Sequence, residues 1–273
     1  MKKTLTRGLC LALAAVLLLP LCGCNTSGGE NSAAGGFPPA TIYTLDDLAG
    51  KKLAVQVGSV ADALAEGVEE AAISYYSNFA DAVKELKSGT VDAVILDEYA
   101  ALRFAEEDAS LRIVEETYHN ETYAVAVAHE ATELKEKLNA ALRAMKEDGT
   151  LDGILQNYVG DKRGTCPYET PAGTTYPNGK LIVAMHAFFD PFEYFEGDTI
   201  VGLDVMLAQA LGDRLGMKVE IHNMAFESIL KTVAEGKAHC GISAITVTDE
   251  RLETVDFTVG YADSRQVVLV RAG

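Results

Sequence analysis

Two α/β lobes of like pattern are expected from this sequence, on three grounds. Strand-length apolar runs alternate with helix-length segments whose apolar residues share one side, as in a mostly parallel sheet with helices packed on it. That alternation occurs twice, before and after a stretch at 160–179 rich in Gly, Thr, Pro, Tyr and Asn. A chain of 273 residues also suffices for one large domain or two modest ones, at roughly 100–200 residues each.

In the first series Leu53–Val57 reads as a strand, 61–72 as a helix after Gly58-Ser59, and Ile73–Tyr76 as a strand. A helix over Phe79–Leu86 carries Ala82, Val83 and Leu86 on one side and stops at Gly89. Val91–Leu96 is a buried strand, and Asp97 opens a helix to about Glu107. Thr122–Ala128 is extended, 133–148 a long helix and Leu151–Tyr158 a shorter one. In the second series Leu181–Ala184, Lys218–Ile221 and Ala238–Ile242 read as strands, and Leu203–Leu215 and Phe226–Ala234 as helices. An aromatic-rich loop, His186–Phe195, follows the first of these strands. Ser243–Arg251 is a polar loop turning into a helix, and Asp256–Thr258 and Gln266–Val270 are extended. Val83–Ala93 and Leu230–Cys240 match in pattern, each a helix, a Gly turn and a strand, and polar residues follow each strand. Ligands of open α/β sheets sit beyond the carboxyl ends of strands, so two facing lobes would gather both polar sets around one cleft.

The chain starts differently. Lys2, Lys3 and Arg7 precede the apolar run Leu9–Leu21, too short for a bilayer span of roughly 20 residues but suited to a secretory signal. Leu21-Cys22-Gly23-Cys24 resembles a lipobox, which implies cleavage after residue 23 and lipid on Cys24, with Cys10 and Cys22 lost; a plain secretory signal is the alternative. Residues 24–44, rich in Gly, Ser, Ala, Asn and Pro, read as a flexible tether.

Composition narrows the function. An apolar fraction of 48% rules out disorder throughout. Forty acids against 23 bases give a net charge of −17, which repels nucleic acid and anionic membranes. Removal of residues 1–23 takes away three bases and no acid, so the mature chain is more acidic still. Five Cys make no disulfide scaffold. Export permits a Cys166–Cys240 bridge, although Cys240 reads better as a small buried apolar residue. There is no G-x-S-x-G, H-E-x-x-H or P-loop, and the His are scattered, so no catalytic residues, cofactor or metal are expected.

Several segments are similar to one family. Phe189-Asp190-Pro191-Phe192-Glu193-Tyr194 and Ile200-Val201-Gly202-Leu203-Asp204 resemble the opening of the polar amino acid binding proteins of ABC importers, the family 3 periplasmic-type solute-binding proteins. Ser243–Arg251, Val255-Asp256-Phe257-Thr258, Asp92–Ala100 and Asp148-Gly149-Thr150-Leu151 resemble other parts of it. The resemblance implies a two-lobed periplasmic-binding-protein-like fold of type II with the ligand cleft between the lobes. The order is reversed: the family's opening stretch looks like 180–271 here, its second lobe like 45–118, and its return to the first lobe like 120–160. This looks like a circular permutation joined by 161–179, with a rearranged fragment as the alternative. The implied organisation is a smaller lobe at 45–119 and a larger one at 120–273 that includes the linker 161–179.

An amino acid presents a carboxylate, an ammonium and a side chain. A carboxylate suits an always-charged planar donor, and Arg251, just after Thr248-Asp249-Glu250, looks like the family's clamp. Thr246 and Ser243 can add bonds from the end of the buried strand, and Ser59 and Val60 from a helix start; Ser59 equally fits a cap, and Val60 replaces a usual hydroxyl residue. Asp97 matches the family's ammonium-binding Asp and also fits an N-cap, through different oxygens. Phe189 and Phe226 fit either a ligand's side chain or a lobe core. Phe188 stands where relatives are often polar or small, and His186 where they commonly carry Asp or Asn, which argues against strong preference for Arg or Lys, yet Phe189 and Phe226 keep a cationic ligand open. Tyr261 faces the cleft or the hinge. The resemblance implies a monomeric, lipid-anchored extracytoplasmic receptor that hands a polar or cationic L-amino acid to an ABC permease. A sensory amino acid-binding protein, a cyclohexadienyl-dehydratase-like enzyme and a fragment without a competent cleft are the rivals.

Overall fold

The computed structural model describes residues 42–272. The expected leader, Cys24 and the tether as far as residue 41 lie outside the described residues. The tether's expected end is not free: Ile42 is fully buried, and Thr44 and Asp47 form a capping box on the 3-10 turn Leu45–Leu48.

The chain then runs β1 (Lys52–Gln56), α1 (Val60–Glu66), β2 (Ala72–Tyr76), α2 (Phe79–Ser88), β3 (Ala93–Asp97), α3 (Glu98–Glu107), β4 (Leu111–Ile113) and β5 (His119–Tyr123). It continues through β6 (Ala126–Val127), α4 (Thr132–Glu147), α5 (Thr150–Tyr158), β7 (Lys180–Met185), β8 (Tyr194–Glu196), β9 (Thr199–Val201), α6 (Leu203–Leu215) and β10 (Lys218–Asn223). A 3-10 turn at Phe226–Ser228 leads into α7 (Ile229–Ala234), then β11 (Cys240–Gly241), α8 (Asp249–Leu252), β12 (Asp256–Phe257) and β13 (Ala262–Arg271). The expected helix 61–72 ends early, because Gly67 caps it and releases the chain into β2. The aromatic loop contains an unexpected hairpin, β8–β9. Gly202 follows it at φ 132, where a Cβ would sit 2.1 Å from the Phe192 carbonyl, so only glycine fits.

Two sheets form the lobes. The first has the order β2-β1-β3-β13-β4, with β5 also on β13; the second has β10-β7-β11-β6-β12. β1, β2 and β3 are parallel, as are β10, β7 and β11. β13 corrects the expected division of the chain. It runs antiparallel to β3, β4 and β5, so residues 262–271 lie in the first sheet and not with the rest of 120–273. Its side chains explain the placement: Val267 and Leu269 enter one apolar cluster and Val268 and Val270 another, so the strand is buried on both faces.

Residues 161–179 contain no helix or strand but are tied down. Tyr168 and Tyr176 hydroxyls both donate to Asp213, and Arg163 makes two bonds to Glu106 on α3 (2.7 and 2.8 Å). Cys166 and Cys240 are both free, which removes the possible bridge. Cys240 is fully buried in β11, and burial pushes its thiol up to about 12.

Candidate functional site

The lobes meet at a cleft. Gly58, at φ +74, faces Glu227 of the other lobe closely enough that a Cβ would come within 3.0 Å of it. An outer basin of about 490 Å³ lies between the start of α1 and the segment from Phe226 to Leu230 together with Thr248–Arg251. An inner cavity adjoins it, sharing Ser59, Val60, Phe226 and Arg251. Its free volume is about 30 Å³, room for roughly two waters.

Nine of the ten candidate residues line that inner cavity: Arg251, Asp97, Thr246, Ser243, Phe189, Ser59, Val60, Phe226 and His186. Phe188 does not. It is 52% exposed and packs on Phe195 and the outer side of His186, because the chain turns it away as Phe189 turns inward. Tyr261 does not line the inner cavity; it is buried just before β13, its amide donates to the Tyr123 carbonyl of β5 (2.8 Å), and its hydroxyl donates to Asp204 (2.9 Å).

Arg251 sits in α8, whose N-cap Thr248 accepts from the Arg251 amide. Its guanidinium donates to the Thr246 carbonyl (2.8 Å) and across the cleft to the Gly58 carbonyl (3.0 Å), with the Phe226 ring 5.6 Å away. Burial lowers its pKa, against the charges of Glu121 and Glu250. A guanidinium has five N–H donors, so several are left for an anion. Ser59 is committed locally: it caps α1 by accepting from Asp62 N and donates to the Gln56 carbonyl (2.8 Å).

Asp97 ends β3 and is 1% exposed. Oδ1 caps α3 by accepting from the Tyr99 and Ala100 amides (2.8 and 3.2 Å), and Oδ2 accepts short bonds from the Tyr123 and Ser264 hydroxyls. Burial, with the charge of Glu121, raises its pKa to about 7. Glu121 was not anticipated. It accepts from Tyr123 OH (2.8 Å), Gln266 Nε2 (2.8 Å) and Thr246 Oγ1 (2.6 Å), all three of which line the cavity. The available signal was the alternation in β5, where Glu121 and Tyr123 are buried while Asn120 and Thr122 are exposed. Hydrogen bonds between β5 and residues 245–247 set Thr246 beside Glu121.

A second acid pair supports the opposite wall. Glu193 Oε1 accepts from Ser243 Oγ (2.6 Å), and Asp204 Oδ2 accepts from Ala244 N (2.7 Å) and Tyr261 OH. Both acids are fully buried. Burial and the Asp204 charge hold Glu193 well above the usual carboxylate range, and burial raises Asp204 to about 6. A proton shared between the two carboxyls accounts for Glu193 Oε2 and Asp204 Oδ1, which have no other partner. Ala244 has φ 45, a left-handed conformation that costs a non-glycine residue energy and that the Asp204 bond holds.

The profile of bacterial extracellular solute-binding proteins, family 3, matches residues 181–273. Over 98 residues the chain is 36% identical to the arginine-binding extracellular protein ArtP of Bacillus subtilis (strain 168), covering 36% of this chain and 38% of that protein. Over 109 residues it is 30% identical to the ABC transporter glutamine-binding protein GlnH of the same organism, covering 40% of each. The chain thus spans about two fifths of the length of these relatives. Among solved structures, the arginine-bound form of domain 1 from TmArgBP is 33% identical, covering 34% of this chain and 80% of that one with a TM-score of 0.30. The two sheets with a cleft between them are the α/β, two-lobed architecture of periplasmic-binding proteins.

Proposed function

We propose that this chain is an extracytoplasmic solute-binding protein that closes on a polar or cationic L-amino acid and delivers it to an ABC permease. One observation carries the reading: a cation and an acid from different lobes, Arg251 and Asp97, line one cavity, and Arg251 lies in the stretch 181–273 that matches the family-3 profile. Arg251 would clamp the ligand's carboxylate and Asp97 its ammonium, with Thr246 and Ser243 as further polar contacts. Phe189 and Phe226 would face the side chain. Binding would shift an equilibrium between open and closed lobes, and the permease would read the closed form. The names of these relatives describe binding, which favours a receptor over a dehydratase-like enzyme.

The permuted order of the halves belongs to the same proposal. It is supported by the packing of Ile42 and Ala272 against neighbouring parts of one strand region. The Ile42 carbonyl accepts from Arg112 in β4 (2.5 Å), and the Ala272 amide donates to the carbonyl of Ser110 just before it (2.7 Å). Lipid on Cys24 would hold the receptor at the membrane surface.

A thermal-shift screen of the twenty amino acids, cystine and ornithine tests the reading, because a ligand that binds the folded state raises its melting temperature. At least one should respond, and Arg251→Ala should abolish the response. Silence from every compound would reject the receptor reading.

A further inference from the structure

The mouth of the cleft carries acids on both sides. Asp62 and Glu66 of α1 line the outer basin from the first lobe, and Glu227 and Glu250 line it from the second, beside the guanidinium of Arg251. In a chain of net charge −17 these acids push the lobes apart, most strongly at low ionic strength. Closed lobes need an attraction elsewhere along their contact to offset that push.

Two ion pairs supply one, and they cross between the lobes in opposite directions. Arg103 of α3, in the first lobe, donates through Nε to Asp190 in the aromatic loop of the second (3.2 Å). Arg163, from the segment 161–179, donates through both terminal nitrogens to the two oxygens of Glu106 on α3 (2.7 and 2.8 Å). Arg103 and Glu106 lie 3.8 Å apart on one turn of that helix. Four charges therefore alternate in sign from Asp190 through Arg103 and Glu106 to Arg163. The members from the second lobe are held in place before they pair. Asn157, buried in α5, accepts the Gly164 amide on its carbonyl (2.9 Å) and the Cys166 amide on its side chain (2.8 Å), which fixes the turn that presents Arg163. Tyr168 and Tyr176 tie the rest of the segment to Asp213 of α6. Asp190 lies in a turn closed by the bond from the Phe189 amide to the Glu193 carbonyl (2.8 Å). A single exposed ion pair contributes little, but a two-pronged Arg–carboxylate pair within a network on an ordered backbone is the geometry in which such pairs count. The Arg163 guanidinium accordingly holds the Glu106 carboxyl below the usual carboxylate range.

We propose that the segment 161–179 is an interlobe clasp: Arg163, together with Arg103, Glu106 and Asp190, forms an ionic latch that holds the lobes together against their acidic mouth. The inference goes beyond the receptor reading and needs no ligand. Each pair has one member on each lobe, so the lobes part along this edge only by breaking both. The segment is thus more than a connection between α5 and β7. It is rooted on the second lobe and reaches the first through one side chain, which makes the balance between open and closed lobes sensitive to salt and to the charge at position 163.

Distances between the lobes of the protein without added ligand, measured by double electron–electron resonance, test this. Nitroxide labels on Glu66→Cys and Thr254→Cys, which line the outer basin from opposite lobes, are placed in a Cys166→Ser background; Cys240 is fully buried and is left as it is. At about 20 mM salt this background should populate a short-distance, closed form. Arg163→Glu sets acid against acid and should lower the ratio of closed to open by about 5-fold. Adding Glu106→Arg to Arg163→Glu restores opposite signs and should recover most of that loss. At about 1 M salt the background and Arg163→Glu should give the same distances, because the latch is then screened. Both altered side chains are half-exposed, so the fold tolerates the changes. An Arg163→Glu distribution equal to that of the background at low salt would overturn the clasp. A shift that the double variant does not recover, or that persists in full at high salt, would overturn ion pairing as its cause. Neither result depends on whether any amino acid binds, so the receptor reading stands or falls separately.

Discussion

Two pairs of buried acids flank the cavity, and they differ in what completes them. Glu193 and Asp204 complete each other: a shared proton joins them, and their remaining oxygens take Ser243, Ala244 and Tyr261. Asp97 and Glu121 do not touch directly. The Tyr123 hydroxyl stands between them with one proton for two carboxyls, and their other partners are neutral hydroxyl, amide and backbone groups. The first pair is a closed unit that holds a strained wall segment in place. The second has no counter-charge on its hydrogen-bond partners, and the cation near it is the Arg251 guanidinium, which lines the same cavity and feels the Glu121 charge. Buried ions need pairing or neutralisation, and the two pairs meet that need in different ways.

The sharpest way to break the comparison is at Asp204. Asp204→Ala removes the acceptor for Ala244 N and Tyr261 OH and leaves Glu193 without its partner. A loss of about 3 kcal/mol is expected, which lowers the melting temperature by roughly 6–12 °C in a chain of this size. Thermal denaturation by circular dichroism reads it. A melting temperature within a degree or two of the parent would mean that the pair is not a structural unit.

Asp97→Asn should separate stability from binding. The amide nitrogen can donate to the Tyr123 and Ser264 oxygens, so folding is nearly unaffected while the ammonium partner is lost. Affinity for any responding amino acid should fall at least about 30-fold, measured by calorimetry. The same variant exposes a pH signature. Asp97 binds a proton up to about pH 7 when folded but only to about 3.8 when unfolded, so its effect on stability declines as pH rises from about 4 to 7. Asp204, raised to about 6, acts in the same direction. The parent should melt higher at pH 5 than at pH 7.5, and Asp97→Asn should shrink that difference. A parent that is more stable at pH 7.5 would contradict the raised values.

Much of this architecture was readable in the sequence because it is local. The helix–Gly–strand unit at Val83–Ala93 depends on neighbours in the chain, and Asp97 is marked by ending a buried strand. β13 was assigned to the wrong lobe because its partners β3 and β4 are more than 150 residues away, and an apolar run does not name its partner. Glu121 was missed for a related reason. Its inward direction shows in the β5 alternation, but its importance comes from Thr246 and Gln266, supplied by two other segments. Phe188 was misread because neighbouring aromatics in a loop carry no rule for which one turns inward.

The smallest test concerns Ser264, the one hydroxyl on Asp97 that does not also reach Glu121. Its bond favours the charged form of Asp97. Ser264→Ala therefore raises the Asp97 pKa further, so more of the protein carries a neutral Asp97 at pH 7.5. Stability should drop by about 1 kcal/mol, far less than for Asp204→Ala, because Tyr123 and the two α3 amides still bind Asp97. Ligand affinity should weaken a few-fold at pH 7.5 and recover at pH 9, where Asp97 is ionised in parent and variant alike. The recovery separates a change in proton occupancy from a change in shape: a deficit that persists unchanged at pH 9 would assign the effect to lost packing, and Asp97 would then resemble the closed pair across the cavity more than an open one.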